Sequence, residues 1–235
     1  MNASRTARER ARAELTREIK EEARRQLRAS GAQGLSLRAV ARELGMVSSA
    51  LYRYFPSRDR LLTELIIDAY NVLGDRVERA GAADGDDFRA RWRACCAAVR
   101  EWAIANPHEY ALVYGSPVPG YEAPETTVGP ASRTPIALLA VVRDASRAGV
   151  LRVPDDGLAP ELDAQAARTA GLAELDVPEP AVVRGVIAWT QLFGMIGFEL
   201  FGHLDGSMDP ADAFFAHTVD LMADFIGLPA GPDGR

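Results

Sequence analysis

The sequence has little cysteine: only Cys95 and Cys96, which are adjacent. Neighbouring residues on a helix point about 100° apart and cannot easily bridge each other, so we expect no disulfide and a reducing compartment. We interpret the pair as two small core residues rather than as a redox pair. A scaffold held together by disulfides is thereby excluded.

Groups that carry chemistry are also scarce. The three histidines, His108, His203 and His217, have no metal-ligand spacing with one another or with a cysteine or carboxylate. The sequence contains no Gly-rich phosphate loop, no Gly-x-Ser-x-Gly motif and no catalytic triad. We therefore expect no cofactor, no metal and no enzymatic activity. An all-α enzyme with an incidental helix pair is the alternative from another class.

Long apolar runs are absent as well. No stretch approaches the roughly 20 apolar residues that span a bilayer, and the charged first residues offer no apolar core of a signal peptide. We expect a cytoplasmic protein with no membrane partner. Since 48% of the 235 residues are hydrophobic, the chain has enough apolar material for one large or two smaller domains.

The net charge of −6 hides a strong asymmetry along the chain. Residues 1–62 contain 14 Lys and Arg against 7 Asp and Glu, which gives +7. Residues 63–235 contain 13 against 26, which gives −13. A basic head on an acidic body suits a protein that touches phosphates with one end only.

Apolar residues recur at helical spacing almost everywhere, and no segment shows strand alternation, so the sequence predicts an all-α fold. We expect a helix-turn-helix head over residues 1–62, joined by a long helix to a body over 63–228, with a flexible tail over 229–235. Residues 115–135 contain five Pro and three Gly and are interpreted as a long mobile loop.

The first helix is predicted to end before Gly31 and to bury a stripe at i+4 spacing, formed by Leu15, Ile19, Ala23 and Leu27. A linker is expected over 81–87. The later helices are expected over about 36–44, 48–54, 57–79, 87–105, a short stretch after Pro107, 135–148, 159–175, 180–204 and 210–227.

Residues 36–62 hold two short helical patterns separated by Gly45, which is the layout of a helix-turn-helix. The second helix of this motif enters the major groove of DNA. Stepping 100° per residue predicts an inward face formed by Val47, Leu51, Tyr54 and Phe55. On spacing alone, the alternative is any short helix pair that exposes a solvated arginine face.

The outward face would then meet the bases. Arg53 is suited to forking onto guanine, and Ser48 or Ser49 can bond either groove edge. Arg38 of the preceding helix points to the same side. Natural phosphate anchors are the backbone around Ser36 and three side chains, those of Tyr52, Tyr54 and Arg58.

Residues 45–55, GMVSSALYRYF, followed by PSRDRLL, resemble the recognition-helix signature of the TetR family of transcriptional repressors. The resemblance runs from about Leu15 to Leu65. It implies an all-α dimer that binds a pseudo-palindromic operator in double-stranded DNA and releases it when a small molecule binds the C-terminal domain. By position it implies DNA contacts from Ser36, Arg38, Ser48, Ser49, Tyr52, Arg53, Tyr54 and Arg58.

The sequence departs from the family pattern at one point of this motif. Val47 stands where the family usually has a helix-capping Ser, so Ser48 is expected to cap instead and to shift the helix start by one residue. Farther on, residues 189–194 and the later FELFGHL resemble the WHG-domain subgroup, with Phe193 in the place of that subgroup's His.

Residues 183–204 are apolar on nearly all sides, and the final helix adds further aromatic and aliphatic residues. Two such helices have more apolar face than one small body can cover, so we expect a homodimer through helices 180–204 and 210–227. A buried role within one chain is the alternative. Gln191 and Glu199 interrupt the apolar surface, and they could orient a ligand or bond across the dimer.

The body also carries an aromatic population with few polar neighbours, which is what a small-ligand site needs. We expect some of these residues to line an effector pocket near the loop 115–135, although each taken alone is also ordinary core. They are Trp92, Trp102, Tyr110, Tyr114, Trp189, Phe193 and Phe198. If the body only dimerises, the protein is instead a constitutive DNA-binding dimer without an effector.

Overall fold

The structure is a computed structural model that describes residues 2–82, 85–154 and 157–230. Within these ranges the regular elements are helices and no strand occurs, which confirms the all-α prediction. The helices are α1 Asn2–Ser30, α2 Leu37–Glu43, α3 Ser48–Leu51, α4 Arg58–Gly81, α5 Phe88–Ala105, α6 Pro107–Tyr114, α7 Val128–Arg147, α8 Pro160–Leu172, α9 Glu179–Leu200 and α10 Asp212–Ile226.

The chain divides into two compact units. The first joins residues 1–69 to residues 108–128, and the second joins residues 70–107 to residues 129–235. Helix α4 therefore begins in the first unit and ends in the second.

The first unit is built on the apolar stripe of α1. Three residues of the predicted stripe, Ile19, Ala23 and Leu27, are at most 3% exposed, whereas Leu15 is only half-buried. Helix α1 packs against α2, which packs against α3. Burying a Leu or Ile side chain stabilises the fold by about 1.5–3 kcal/mol. The buried residues that complete this core are Leu37, Val40, Ala41, Leu51, Phe55, Leu61, Leu62 and Leu65.

Hydrogen bonds from α1 and α4 help to attach the segment 108–128 to the rest of the first unit. Arg24 of α1 donates from Nε to Glu109 of α6 at 2.9 Å and from Nη2 to Asp68 of α4 at 2.8 Å. The hydroxyls of Thr63 and Tyr121 lie 2.9 Å apart. The segment is therefore held to both α1 and α4.

The core of the second unit contains the two cysteines. Cys95 and Cys96 on α5 are free thiols with no exposed surface, as expected for small core residues. Burial raises the pKa of the Cys95 thiol to about 11 and that of Cys96 well above its usual range. Both thiols are thus protonated at neutral pH and have little thiolate character.

Helix α7 begins at Val128, so the interpretation of the whole stretch 115–135 as a loop is wrong for its last eight residues. The first four backbone N–H groups of a helix have no partner within it, and Pro130 lies in that first turn, where it removes no hydrogen bond. Pro135 lies inside the helix. Arg133 holds this end of α7 by donating to Asn71 Oδ1 at 2.9 Å and to Glu78 at 2.8 Å, both on α4.

The expected tail is anchored where it starts. Leu228 is 3% exposed, and the buried Arg89 of α5 donates from Nε to Pro229 O at 3.1 Å and from Nη2 to Leu228 O at 3.1 Å. The rest of the expected tail, residues 231–235, lies outside the described residues, as do residues 83 and 84 of the expected linker.

Helix α9 is long and apolar enough to cross a membrane by length and composition alone. In its most apolar window, 44% of the residues are buried within the protein. The core helices of soluble proteins pass the same test, so this is weak evidence for a membrane span.

Candidate nucleic-acid interface

The helix-turn-helix depends on two local backbone features. Ser36 precedes α2 in an extended conformation, and its hydroxyl accepts a hydrogen bond from Ala39 N at 3.4 Å, as an N-cap does. Gly45 follows α2 with a φ of 65°, in the left-handed region that favours glycine. Met46 N then donates to Ala41 O at 2.8 Å, which closes the end of α2 and turns the chain toward α3.

Helix α3 begins at Ser48, with Val47 in the N-cap position. The Val47 side chain makes no capping hydrogen bond and is 69% exposed. The expectation that Ser48 caps the helix is therefore wrong, and so is the inward placement of Val47. Its backbone is extended, so the 100° step that applies inside a helix does not describe it.

The regular part of α3 ends at Leu51, earlier than the expected Tyr54. The chain continues in tight turns, in which Tyr54 N and Phe55 N both donate to Leu51 O, at 2.8 and 3.1 Å. Leu51 and Phe55 are buried, as the inward face predicted. Their burial fixes the orientation of the residues between them.

The outer surface of this motif carries four exposed side chains that the sequence predicted, those of Arg38, Ser49, Tyr52 and Arg53, while Ser48 is half-buried. In the part of the chain that the structure describes, no carboxylate forms an ion pair with Arg38 or Arg53. Exposed guanidinium groups without a counter-charge attract anions such as phosphate. The arrangement leaves both cations available to a partner.

Tyr54 and Arg58, two of the remaining predicted contact residues, already have partners within the first unit. Arg12 of α1 places its guanidinium over the Tyr54 ring, 5.0 Å from the ring centre. Arg58 donates from Nε to Leu35 O at 3.2 Å and from Nη2 to Ala32 O at 2.7 Å. Arg58 thus ties the start of α4 to the turn that precedes α2.

Sequence reasoning missed two residues that position this surface. Gln26 of α1 accepts a hydrogen bond from Ser36 N at 3.3 Å through its side-chain oxygen, and nothing in the sequence marked it. Arg12 was visible in principle, because it lies three residues before Leu15 and therefore on the face of the buried stripe of α1.

The seven aromatic residues expected at an effector site fall into both units. Tyr110 and Tyr114 belong to the first unit, where their ring centres are 5.3 Å apart. The other five belong to the second. Trp92 and Trp102 of α5 are fully buried, and Trp92 Nε1 donates to Val219 O at 3.1 Å. Trp92 therefore serves the contact between α5 and α10.

The three aromatic residues of α9 differ in their surroundings. The Trp189 and Phe193 rings meet edge to face with centres 6.0 Å apart, whereas Phe198 is 57% exposed. Among the described residues, the buried Nε1 atoms of Trp102 and Trp189 have no hydrogen-bond partner. A buried donor without an acceptor costs about 1–3 kcal/mol, so these two atoms call for an explanation.

A groove of about 350 Å³ lies between α5 and α10, and none of the seven aromatic residues lines it. Its floor includes Ile104 and Phe215. Arg100 at its edge forks onto Glu199, with nitrogen–oxygen distances of 2.6 and 2.8 Å, and stands 4.9 Å from the Phe215 ring centre. Glu199, one of the two polar residues noted on α9, is therefore paired within its own chain. No group of three or more potential metal ligands occurs among the described residues.

A capped helix pair in a basic part of the chain, with two unpaired arginines beside serine and tyrosine hydroxyls, defines a helix-turn-helix DNA-binding protein. The chain belongs to the TetR family of bacterial transcriptional regulators. Residues 19–65 match the family model described as bacterial regulatory proteins, tetR family, and residues 92–222 match the tetracyclin repressor-like C-terminal domain. Proteins of this family are regulators of transcription and not enzymes.

Several known proteins resemble this chain. An HTH-type transcriptional regulator of Mycobacterium tuberculosis is 40% identical over 220 residues, which cover 91% of this chain and 93% of that protein. The crystal structure of the regulatory protein SCO4313 is 36% identical, with a TM-score of 0.75, and the match covers 92% of this chain and 98% of that one. The HTH-type transcriptional repressor DrrR1 of Streptomyces coeruleorubidus is 36% identical over 77 residues, covering 33% of this chain and 26% of that protein.

Proposed function

We propose that this regulator is a dimeric repressor that leaves its operator when a small-molecule effector binds the body. The observation that carries the proposal is the exposed pair Arg38 and Arg53 on the helix-turn-helix. Helix α4, which follows this motif, continues from the first unit into the second. A ligand that favours one conformation of the body would thereby change how each head is held. DrrR1, a partial relative, is named a repressor.

In this proposal α3 enters the major groove of double-stranded DNA. Arg53 forks onto a guanine, and Ser48 and Ser49 bond neighbouring base edges. Arg38 and Tyr52 lie beside them on the exposed surface. Ser36, Tyr54 and Arg58 contact phosphates or hold the motif in place, because Tyr54 and Arg58 already have partners within the first unit.

The dimer would form through α9 and α10. Apolar residues on these helices and directly after α9 are each at least 38% exposed: Val186, Ile187, Phe198, Phe201, Leu221 and Phe225. Leu221 and Phe225 are one helical turn apart and thus share a face. Exposed apolar residues gathered on two helices that pack together are typical of a protein interface, and a two-fold dimer would bring two heads to a pseudo-palindromic operator.

The effector site would lie in the body and would be mainly apolar. Trp102 Nε1 and Trp189 Nε1 are donors only, so an effector with a hydrogen-bond acceptor would satisfy either of them. Trp92, Phe193, Phe198, Tyr110 and Tyr114 remain candidates, as sequence reasoning proposed. The exposed Phe198 fits the dimer face better than a pocket.

Three finer assignments belong to the same proposal. The domain boundaries are set at residues 62 and 228, with a short tail beyond them. The body is placed in the WHG-domain subgroup on residues 189–194 and FELFGHL. The regulator works in the cytoplasm, where its DNA partner would be, and has no membrane partner.

Arg53→Ala tests the assignment of the reading face. DNA selected by the wild-type protein from a random pool supplies the half-site and its spacing. On that DNA the variant should bind about 1–3 kcal/mol more weakly and lose its preference at one base pair, because a bidentate arginine–guanine contact is removed. Arg42→Ala, an exposed arginine of α2 paired with Glu43, is the matched control. Unchanged affinity and unchanged base preference in the Arg53 variant would refute the assignment.

The alternative is a constitutive DNA-binding dimer, whose body has no effector. A thermal-shift screen of small molecules separates the two functions. A compound that raises the melting temperature and also lifts the protein from its selected DNA supports the repressor with an effector. Stabilising compounds that leave DNA binding intact favour the constitutive regulator.

A further inference from the structure

Helix α1 extends well beyond the core of the first unit. All side chains from residue 7 to residue 14 are exposed, and the first fully buried residue is Ile19. The match to the family's DNA-binding model also begins at residue 19. Residues 7–14 of α1 therefore bury no side chain in the helix-turn-helix core.

This extension is basic. Residues 1–13 contain four arginines and one glutamate. Within the described part of the chain, Arg8 and Arg10 form no ion pair, whereas Arg17, at least about two turns later, is paired with both Glu14 and Glu21. The charges of Arg8 and Arg10 are therefore open to a partner.

Helical geometry places Arg8 and Arg10 on opposite sides of α1. Taking Leu15 as 0° and 100° per residue, Arg8 falls at about 20° and Arg12 at about 60°, on the face of the buried stripe. Arg10 falls at about 220°, on the far side. Arg12 contacts Tyr54, which directly follows Tyr52 and Arg53 in the chain, so the side of α1 that carries Arg8 lies next to the end of this segment.

We propose that Arg8 and Arg12 on this face of α1 form a second DNA-contacting surface, which binds phosphates next to the half-site read by α3. The proposal rests on the DNA-reading role of α3 proposed above. Arg8 lies about 6 Å along the helix from Arg12, so the two guanidinium groups extend the positive surface away from Tyr54 along the duplex backbone. Arginine is well suited to this role because its planar group binds phosphate through paired hydrogen bonds.

Arg8→Ala and Arg10→Ala form a matched pair of variants. Each removes one exposed arginine from the same helix, and alanine is at least as good a helix former as arginine. Affinity for the DNA selected by the wild type, with random flanks of about ten base pairs, is measured against salt concentration. Each lost phosphate contact should lower the salt slope by about 0.9 and the affinity at 0.1 M salt by roughly five- to tenfold.

The expected result is a lower slope and affinity for the Arg8 variant and wild-type behaviour for the Arg10 variant. Trimming the flanks should weaken the wild type more than the Arg8 variant, because the variant has already lost one of the two flanking contacts. Equal losses in both variants would point to long-range charge alone and overturn the proposal, as would no loss in either. If instead the wild type selects no sequence from the pool, the reading role of α3 itself is wrong.

Discussion

Val47 begins the recognition helix without the side-chain oxygen that helices commonly use at this position. Its methyl groups are 69% exposed, and the first backbone N–H groups of α3 receive no side-chain hydrogen bond from it. Replacing it by Ser should therefore raise the free energy of unfolding by about 1 kcal/mol, since a cap is gained and little buried surface is lost. Urea unfolding measures this difference.

Val47→Ala serves as the control for that measurement, because it removes the same methyl groups without adding an acceptor. The Ser variant should exceed the Ala variant in stability. If the two variants have equal free energies of unfolding, a capping side chain at this position does not stabilise α3.

At the scale of elements, the helix-turn-helix was predictable because its signals are local. Ser36 caps α2 through its own neighbour Ala39, and Gly45 turns the chain where the sequence has a glycine. Leu51 and Phe55 face inward because they follow helical spacing. Such interactions join residues a few positions apart, so a single sequence contains them in full.

The start of α7 was not predictable for the opposite reason. Its glycine and proline content suggests a loop, yet Arg133 ties it to Asn71, Asp75 and Glu78, about sixty residues earlier in the chain. Gly74 allows this approach, because a Cβ there would lie 2.9 Å from the Cβ of Arg133. Long-range packing of this kind overrides local propensity and leaves no pattern in the sequence.

Helix α6 carries a site that should make the first unit sensitive to acid. The Nε2 atom of His108 is buried without a hydrogen-bond partner among the described residues. Burial lowers the pKa of His108, Arg24 and Arg28 lower it further, and Glu109 partly opposes them. The unfolded chain therefore takes up this proton first as the pH falls, so stability is lost below the unfolded value of about 6.5.

His108→Gln removes this titration. Thermal midpoints of both proteins between pH 7.5 and 5.5 should converge or cross as the pH falls, since only the wild type loses the histidine contribution. Acidic side chains affect both proteins alike in this range. Parallel curves for the two proteins would show that His108 does not contribute to the acid response.

At the scale of the whole molecule, charge and apolar surface are separated along the chain. The net charge is +7 over residues 1–62 and −13 over residues 63–235, so attraction to DNA is confined to the first part. The exposed apolar residues of α9 and α10 lie in the second. The first part of the sequence is thus suited to binding DNA, and the second part is suited to binding another copy of the chain. A dimeric regulator would require both surfaces.

Phe198→Glu should break the dimer proposed above. A charge buried in an apolar interface loses its hydration with no counter-charge to replace it, so the variant should sediment as a monomer, whereas the wild type should sediment as a dimer. Leu172→Glu on α8 is the control, because Leu172 is 89% exposed and lies outside the α9–α10 face. Circular dichroism checks that both variants keep their helices.

The monomer should still bind a single half-site but lose most of its preference for two half-sites spaced by about 34 Å or a multiple of it. A Phe198 variant that remains dimeric would place the interface elsewhere on the body, and a monomer that binds paired half-sites as tightly as the wild type would remove the need for a dimer.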